Sequence, residues 1–351
     1  MKTGRPATAA AYPTHDVVAP RKPAHIAHPR GGVRIDVHHN VARAQELARD
    51  VLRGLSASQK FLPPKYFYDD RGSQLFDAIC DLPEYYLTRT EQELLEGVVD
   101  EIVSIAQPSD MIEFGSGAAR KTRILLDALD RAGRALRYIP MDVNESMLRR
   151  AAHALRFDYP RVRIHAVVGD YERHLHRLPR GRQRLVVFLG STLGNFTPRA
   201  TAAFLANVRR RLASGDHLLL GVDLVKPVDV IEAAYNDSAG VTAAFNRNVL
   251  HVINRDLDAN FDPDAFEHVA FFNQNQSQIE MHLRAHAPHR VAVCRLNVTV
   301  PFAAGETIHT EISRKFTPAE IESTLAAAGY RLTRWYTPAN AYFGLALARP
   351  I

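Results

Sequence analysis

A glycine-rich turn follows a short apolar run, and its residue types are those of a ligand-binding turn. The segment from Met111 to Thr122 reads MIEFGSGAARKT. Gly115 and Gly117 allow the backbone to adopt positive φ and to approach a ligand closely, and a helix that starts just after them presents free N–H groups. We therefore predict a strand, a cofactor-binding turn and a helix start.

Three classes of cofactor site use such a turn, and the residues around it distinguish the classes. The dinucleotide pattern GxGxxG requires glycine where this chain has Arg120. The phosphate-binding pattern GxxxxGK[ST] comes closer, since Lys121 is followed by threonine, but it requires glycine at the same position. In the third class, the S-adenosylmethionine-dependent methyltransferases, an E-x-G-x-G turn holds the amino acid end of the cofactor, and Glu113, Gly115 and Gly117 match it.

Two predicted strands downstream of the turn each end in an aspartate. LRYIPMD ends at Asp142 and IHAVVGD ends at Asp170. In the methyltransferase class, the first carboxylate accepts hydrogen bonds from two ribose hydroxyls, and a polar residue after the next strand meets the adenine amino group. One strand-terminal aspartate is common in α/β proteins, but the ordered set favours S-adenosylmethionine as the cofactor.

Apolar segments alternate with helical ones between residues 109 and 222, which is typical of a parallel sheet that binds ligands at the carboxyl ends of its strands. A fourth strand, RLVVFLGS, runs into GSTLGNF. We expect Gly190, Thr192 and Asn195 to emerge beside the cofactor, where a second substrate would meet the methyl group. The alternative is a plain turn, because turns rich in glycine, serine and asparagine are common.

The pattern changes after Asp223 to segments typical of an antiparallel array, SQIEMHLRA, RVAVCRLNVTV and IHTEISRKF. Farther along, Thr317 and Glu320 form a capping box, Gly329 ends the helix, and two last strands complete the parallel sheet as an antiparallel edge. The predicted fold class is α/β, a Rossmann-like class I methyltransferase sheet with an inserted α+β substrate-binding domain.

The pattern also predicts three units along the chain. Residues 1–33 are rich in alanine, proline, histidine and basic residues without a hydrophobic period, so we expect a disordered leader. Residues 34–90 and 226–315 are assigned to the substrate-binding domain. Residues 91–225 and 316–351 are assigned to the cofactor-binding methyltransferase domain.

Composition and charge exclude several classes of partner. The 351 residues are 46% hydrophobic with a mean hydropathy of -0.20, enough for one large core or two smaller ones. No stretch approaches the ~20 apolar residues that span a bilayer, and no apolar secretory segment opens the chain, so we expect a cytoplasmic protein. Residues 1–34 carry +5 of the net charge of +6. The nearly neutral remainder indicates no nucleic-acid partner.

Cysteine and histidine spacing predicts no metal site. Cys80 and Cys294 lack a CxxC spacing, and we expect buried thiols. His282, His286 and His289 have a helical spacing, but their segment alternates as a strand, which places the first two on one face and the third on the other. Without cysteine or carboxylate partners at ligand spacing, solvent-facing histidines are the better interpretation.

Long motifs then identify a family that the chain strongly resembles. They are PPKYFYDDRGSQLF, LPEYYLTRTEQELL, EFGSGAARKTRILLDAL, VVGDYERHL, VVFLGSTLGNFTP, AAFNRNVLHVINRDL, FEHVAFF, IEMHLRA and TEISRKF. From about residue 34 to the end, the sequence resembles the histidine Nα-methyltransferases of ergothioneine biosynthesis. The resemblance implies a monomer that trimethylates the α-amino group of L-histidine with S-adenosylmethionine and forms hercynine.

The resemblance also implies a role for individual residues. The implied cofactor contacts are Gly115, Lys121, Asp142, Asp170 and Tyr171, the last standing where the family often has phenylalanine. The implied histidine contacts are Tyr68, Tyr85, Gly190, Thr192, Asn195, Tyr235, Met281, Glu311 and Ser313. Asn195 and Tyr235 would hold the substrate carboxylate, Glu311 and Ser313 the imidazole, and Thr192 and the Gly190 backbone would lie near the amine. Tyr68, Asn195 and Tyr235 are the residues assigned to catalysis, and the ring faces of Tyr68 and Tyr85 would favour the cationic product. Departures from the family at Ala118, Ala119, Asn340 and Ala341 affect only peripheral contacts.

Three alternatives stay open on sequence grounds. A methyltransferase of the same family could act on another amino acid or amine. A cofactor-binding regulatory module could have lost turnover, although Gly115, Asp142 and Glu311 are all present. A nicotinamide oxidoreductase is weakened by Arg120. A cluster of tyrosines, including Tyr68, resembles a site wall, although aromatic clusters usually fill cores.

Overall fold

The computed structural model describes residues 32–38 and 42–351. Nearly all of the predicted leader, residues 1–33, lies outside this part of the chain. Within the described residues, no helix has both the length and the apolar character that crossing a membrane requires.

The described residues form strands and helices that alternate along much of the chain. The strands are β1 (Val33–Val37), β2 (Lys60–Phe61), β3 (Asp110–Phe114), β4 (Arg137–Asp142), β5 (Arg163–Val168), β6 (Arg184–Phe188), β7 (His217–Asp223), β8 (Phe266–Asn273), β9 (Gln278–Ala285), β10 (His289–Val293), β11 (Val298–Phe302), β12 (Thr307–Arg314), β13 (Tyr330–Tyr336) and β14 (Phe343–Pro350). The α-helices are α1 (Ala42–Leu55), α2 (Asp70–Cys80), α3 (Tyr86–Ala106), α4 (Arg120–Arg131), α5 (Glu145–Asp158), α6 (Tyr171–His174), α7 (Pro198–Arg209), α8 (Val228–Ala233), α9 (Val241–Leu257) and α10 (Pro318–Ala327).

The larger sheet has the strand order β1-β5-β4-β3-β6-β7-β14-β13. The first six strands pair in parallel, and β14 pairs antiparallel with β7. β13 is the outermost strand and pairs antiparallel with β14, so it runs in the same direction as the parallel strands. This topology confirms the predicted class I methyltransferase sheet, with β14 rather than both last strands running against the others.

Local sequence signals set both ends of α10, the helix that precedes the last two strands of this sheet. The Thr317 hydroxyl accepts a hydrogen bond from the Glu320 backbone N–H at 3.2 Å, as the predicted cap requires. The Glu320 carboxylate does not close the capping box on Thr317, because it accepts a hydrogen bond from Arg314 at 2.5 Å. Gly329 has a φ of 82°, which few residues other than glycine adopt, and it ends α10 as predicted.

The second sheet has the strand order β2-β12-β9-β8. β9 and β12 pair antiparallel, as predicted, β8 also pairs antiparallel with β9, and β2 joins β12 in parallel. The segment RVAVCRLNVTV is not one strand: a 3-10 turn, Cys294–Leu296, divides it into β10 and β11, which form a separate hairpin. The turn residue Asn297 has a φ of 52°, a conformation that asparagine adopts more readily than most residues.

Among the described residues, three large hydrophobic clusters and one small one support the two sheets. Two of the large clusters cover the opposite faces of the larger sheet, and the third lies between the second sheet, α1, α2 and α9. The predicted division had placed residues from 34 onward in the substrate-binding domain, but β1 pairs with β5 in the larger sheet. The other domain limits stay a proposal.

Two expectations about side-chain exposure are wrong. Cys80 is buried, but Cys294 is exposed because it lies in the turn between β10 and β11. His286 is exposed as expected, whereas His282 is buried because the rings of Phe271 and His309 stack on it. Both errors arise from tertiary contacts that local alternation does not encode.

Candidate active site

The predicted turn lies between β3 and α4. Gly115 and Gly117 have φ values of 67° and 50°, and a Cβ added at either position would meet no atom within 4 Å. The space beside these glycines is therefore open, as a site for a ligand requires. Ala119 also has positive φ, 59°, although it is not glycine. The helix that follows leaves its first backbone N–H groups without helical acceptors.

Asp142, at the carboxyl end of β4, lies against this turn. Its Oδ2 accepts a hydrogen bond from the Gly117 backbone N–H at 3.2 Å, and its Oδ1 accepts one from the Asn144 N–H at 2.9 Å. The carboxylate is thus fixed next to the open space beside the glycines. Its position fits the predicted contact to a ribose.

Asp170 and Tyr171 follow the next strand, β5. Asp170 caps α6 by accepting a hydrogen bond from the Glu172 N–H at 2.8 Å. The Tyr171 ring lies 5.9 Å from Phe114 and 5.4 Å from Phe188, between ring centroids. Phe114 ends β3, so the aromatic residue predicted beside the adenine lies at the same edge of the sheet as the glycine turn.

Lys121 and Gly190 are joined by a residue that the sequence analysis missed. Glu91, fully buried on α3, accepts hydrogen bonds from the Gly190 backbone N–H at 2.9 and 2.8 Å and forms an ion pair with Lys121. Its position in the sequence could have indicated that it is buried, because Glu91 lies four residues from each of Leu87 and Leu95, on the apolar face of the helix.

The loop after β6 packs directly on the second sheet. Thr192 to Asn195 form a 3-10 turn, and the Thr192 hydroxyl donates to the Leu189 carbonyl at 2.8 Å. A Cβ added at Gly194 would lie 2.9 Å from the Arg314 carbonyl oxygen. Only glycine allows this close approach, which brings the cofactor edge of the larger sheet to β12.

β12 and β9 carry the residues predicted to hold the imidazole. Met281 is the antiparallel partner of Glu311, and Ser313 lies two residues farther along β12, on the same face. Glu311 Oε2 is buried and has no hydrogen-bond partner among the described residues. Burial raises the pKa of the Glu311 carboxyl to about 7, an effect that the nearby Lys315 ammonium opposes.

Three predicted tyrosines surround this carboxylate. Tyr85 and Tyr235 lie with ring centroids 6.2 Å apart, close to edge-on. Burial, followed by the Glu311 charge, raises the pKa of Tyr68 well above its usual value, and Tyr171 and Asp142 add to the effect. Tyr68 therefore lies near both Glu311 and the predicted cofactor residues. The structure brings the two predicted groups of residues together at this tyrosine.

A buried charge network beneath the pocket was also missed. The Lys315 ammonium bonds Asp223 Oδ2 at 2.9 Å, Tyr235 Oη at 3.0 Å and Ser313 Oγ at 2.9 Å. Lys226 bonds the other oxygen, Asp223 Oδ1, at 2.6 Å. The sequence feature that could have indicated this network is Asp223, a further aspartate at the end of an apolar strand.

One group of potential metal ligands lies on the second sheet. Glu280, His282 and His309 each place a ligand atom within 4.8 Å of the others. The two imidazole rings stack at 4.8 Å, so their in-plane lone pairs run side by side, and Glu280 already accepts hydrogen bonds from Asn273 and Gln278. The absence of a resident metal stays a prediction.

Comparison with known proteins identifies the family to which this chain belongs. A family model described as histidine-specific methyltransferase, SAM-dependent, matches residues 47–350. The chain belongs to this family. The predicted fold class and the S-adenosylmethionine cofactor are confirmed, and a small-molecule amino acid substrate follows from membership of the family.

Curated relatives support the same conclusion. The chain is 52% identical to a histidine N-alpha-methyltransferase of Mycolicibacterium smegmatis, over 87% of this chain and 95% of the relative. It is 51% identical to a histidine N-alpha-methyltransferase of Mycobacterium tuberculosis, over 86% and 94%. It is 29% identical to ergothioneine biosynthesis protein 1 of Schizosaccharomyces pombe, over 78% of this chain and 37% of that longer protein. The roles of individual site residues stay predictions.

Proposed function

We propose that this protein trimethylates the α-amino group of L-histidine with S-adenosylmethionine and forms hercynine for ergothioneine biosynthesis. The observation that carries the proposal is the pair Glu311 and Ser313 on one face of β12, together with Tyr68, whose backbone carbonyl accepts a hydrogen bond from Asn144, two residues after Asp142. The names of the mycobacterial relatives support histidine as the substrate.

The residues around the glycine turn fit the cofactor. The open space beside Gly115 and Gly117 leaves room for its amino acid end, Asp142 offers carboxylate oxygens for two ribose hydroxyls, and Asp170 and Tyr171 lie where the adenine would bind. When bound, S-adenosylmethionine supplies a methyl group on a positively charged sulfur. The chain supplies the binding groups and the position of the substrate.

Histidine would be held at both ends. Asn195 binds its carboxylate, Glu311 accepts an imidazole N–H, and Ser313 bonds the other ring nitrogen. Tyr235, which the resemblance assigns to the carboxylate, donates its hydroxyl hydrogen to Ser313 at 2.8 Å, so it supports the imidazole contact instead. A buried polar pocket rejects side chains that leave its groups unpaired, typically by ~10⁴-fold or more. The buried, unpartnered Oε2 of Glu311 is such a group.

Methyl transfer requires a neutral amine aligned with the methyl group and shielded from water. Tyr85 is buried and Tyr68 is half-buried, both rings pack against Phe76, and their ring faces stabilise the cationic product as methyl groups accumulate. Burial raises the pKa of both phenols well above the usual value, so neither exists as phenolate at neutral pH. A phenol can still relay the amine proton by accepting it while its own proton passes to water or another acceptor.

The alternative is a methyltransferase of this family that acts on another amino acid or amine. Calorimetric binding of histidine, tryptophan, tyrosine and histamine in the presence of S-adenosylhomocysteine distinguishes the two. Clear preference for histidine supports the proposal, and preference for another compound supports the alternative. The monomeric state, the cytoplasmic location and the absence of nucleic-acid and membrane partners stay predictions.

Mass spectrometry tests the proposed reaction directly. Purified protein is incubated with S-adenosylmethionine and L-histidine, and the products are followed over time. Accumulation of trimethylated histidine with release of S-adenosylhomocysteine supports the proposal. Cofactor binding without any change in histidine would leave the fold assignment intact but would contradict the assignment of the pocket.

A further inference from the structure

Lys315 is a fully buried cation whose three ammonium hydrogens all have acceptors. The acceptors are Asp223 Oδ2 at 2.9 Å, Ser313 Oγ at 2.9 Å and Tyr235 Oη at 3.0 Å. Burial disfavours the charged form, but the Asp223 carboxylate and the hydrogen bonds outweigh it and raise the pKa of Lys315 above its usual value. The ammonium form therefore persists at neutral pH, and an ammonium can only donate.

This cation dictates the direction of the neighbouring hydroxyl groups. Since Lys315 donates to both oxygens, Tyr235 and Ser313 must each accept from it. Tyr235 donates its own hydrogen to Ser313 Oγ at 2.8 Å. Ser313 thus accepts two hydrogen bonds, which occupy both of its lone pairs. Its remaining capacity is one O–H donor, for which no acceptor is found among the described residues.

The other polar group at this end of the pocket is the Glu311 carboxylate, which can accept a hydrogen bond where Ser313 can donate one. Glu311 lies two residues before Ser313 on the same face of β12, and its buried Oε2 has no partner among the described residues. An ionised carboxylate only accepts hydrogen bonds. With Glu311 ionised, the form that predominates above its raised pKa of about 7, the pocket therefore offers one donor and one acceptor to the ring of the substrate.

We propose that Lys315 is a positioning residue that fixes the hydrogen-bond polarity of the pocket, forcing Ser313 to act only as a donor. The inference rests on the proposed function. The matching side chain is a neutral azole with one N–H for Glu311 and one unprotonated nitrogen for Ser313. An indole has the N–H without the acceptor, and a phenol cannot place a donor and an acceptor on two ring atoms.

Two histidine analogues separate the two contacts. Pyrrolylalanine keeps a ring N–H but lacks the acceptor for Ser313, whereas thiazolylalanine keeps an acceptor but lacks the N–H for Glu311. Calorimetry of the full-length protein with S-adenosylhomocysteine should show each analogue binding at least ~10-fold more weakly than histidine, the cost of an unpaired buried polar group.

The substitution Lys315→Met removes the cation while keeping a side chain of similar length. Ser313 can then turn its lone pair or its hydrogen toward the ring, so the preference for histidine over pyrrolylalanine should fall toward parity. The preference over thiazolylalanine should change less, because Glu311 keeps its place and loses only the nearby Lys315 charge, which lowers the pKa of its carboxyl. A residue with only a structural role would weaken all three ligands alike and leave both ratios unchanged.

Lys226 is the matched control. It is also a buried lysine bonded to Asp223, but its other hydrogen bonds go to Tyr86 Oη and the Leu224 carbonyl, not to the pocket hydroxyls. Lys226→Met should leave both preference ratios at the wild-type values. An equal change in Lys315→Met and Lys226→Met would overturn the proposal, as would unchanged ratios in Lys315→Met.

Lys315→Gln serves if Lys315→Met does not fold, because its amide keeps a polar group in the buried network without forcing Ser313 to accept, and the Asp223 carboxylate still compensates Lys226. A measurement on the unaltered protein gives a second test: nitrogen NMR of bound ¹⁵N-labelled histidine should show one protonated and one unprotonated ring nitrogen. Two protonated nitrogens would overturn the proposal. Failure of the wild type to methylate histidine would instead contradict the proposed function, whatever the ratios show.

Discussion

Glu91 accepts the Gly190 backbone N–H through both carboxylate oxygens, at 2.9 and 2.8 Å, although the two residues are 99 positions apart. The same carboxylate pairs with Lys121. Gly221 on β7 makes room for it, since a Cβ there would lie 1.9 Å from Glu91 Oε1. One buried charge from α3 therefore fixes both the start of the substrate loop and the first turn of α4.

Replacement of Glu91 by glutamine should weaken this junction. The amide keeps the shape of the carboxylate but offers one acceptor instead of two and no charge for Lys121. We expect the free energy of unfolding to fall by about 1–3 kcal/mol, with weaker binding of S-adenosylmethionine. Chemical denaturation and calorimetry measure both effects. Glu93→Gln, an exposed glutamate on the same helix, is the control, and equal behaviour of the two variants would contradict this role.

Asp142→Ala should abolish binding of the cofactor. The change removes the acceptors proposed for the ribose hydroxyls and releases the Gly117 N–H. We expect at least a ~100-fold rise in the Kd for S-adenosylmethionine, since two hydrogen bonds to a charged group are lost. Asp142→Asn should lose less, because the amide oxygen still accepts. Asp158→Ala, in an exposed ion pair with Arg123, controls for loss of charge, and unchanged affinity in Asp142→Ala would remove the ribose assignment.

Glu311→Gln should separate substrate binding from cofactor binding. The amide replaces the charged acceptor for the imidazole N–H, and we expect a ~10- to 100-fold loss of histidine affinity with little change for S-adenosylmethionine. Calorimetry with each ligand tests this, and Glu322→Gln at the exposed face of α10 serves as the control. Equal losses for both ligands would mean that Glu311 has a structural role.

The sequence predicted those site residues that are marked by a recognisable local sequence pattern and that also have a side chain suited to the chemistry. Asp142 was found because it ends an apolar strand after a glycine turn, and Glu311 because its motif resembles a known family. Glu91 and Lys315 were missed, since a buried charge depends on partners far along the chain: Glu91 pairs with Gly190, and Lys315 with Asp223. The hydrophobic periodicity of a short segment carries no information about contacts between residues that lie far apart in the sequence.

The same limit explains the errors in the fold. Alternation in RVAVCRLNVTV satisfied the pattern of a strand, but it did not show that three residues would turn and expose Cys294. β1, VRIDV, is short and alternates apolar with charged residues, and its pairing with β5 is decided by the edge that the larger sheet leaves open rather than by its own sequence.

Gly194→Ala should disturb the contact between the two sheets. The added Cβ would lie 2.9 Å from the Arg314 carbonyl oxygen and 3.1 Å from its backbone nitrogen, and backbone atoms cannot move aside cheaply. We expect a loss of about 1–3 kcal/mol in the free energy of unfolding, with weaker histidine binding. Gly215→Ala is the control, because a Cβ there meets nothing within 4 Å. Equal stability of the two variants would show that the loop is free to shift.

The stability of the ligand-free protein should depend on pH through Glu311. Burial raises the pKa of its carboxyl from 4.5 to about 7, so the folded state binds a proton more tightly than the unfolded chain. Between these two values the unfolded state has already lost the proton that the folded state retains. Raising the pH through this window therefore lowers the free energy of unfolding, by up to about 3 kcal/mol for one group.

Glu311→Gln isolates this effect, because glutamine does not titrate. Denaturation curves of both proteins from roughly pH 5 to pH 8 give the difference in the free energy of unfolding between them. That difference should shift in favour of the glutamine variant as the pH rises, and it should level off above about 7, where Glu311 is ionised in both states. The remaining carboxylates are the same in both proteins, so their contributions cancel in the difference. A constant difference across the range would mean that Glu311 is already ionised in the folded protein at the lowest pH, with Lys315 stabilising its charge more strongly than burial opposes it.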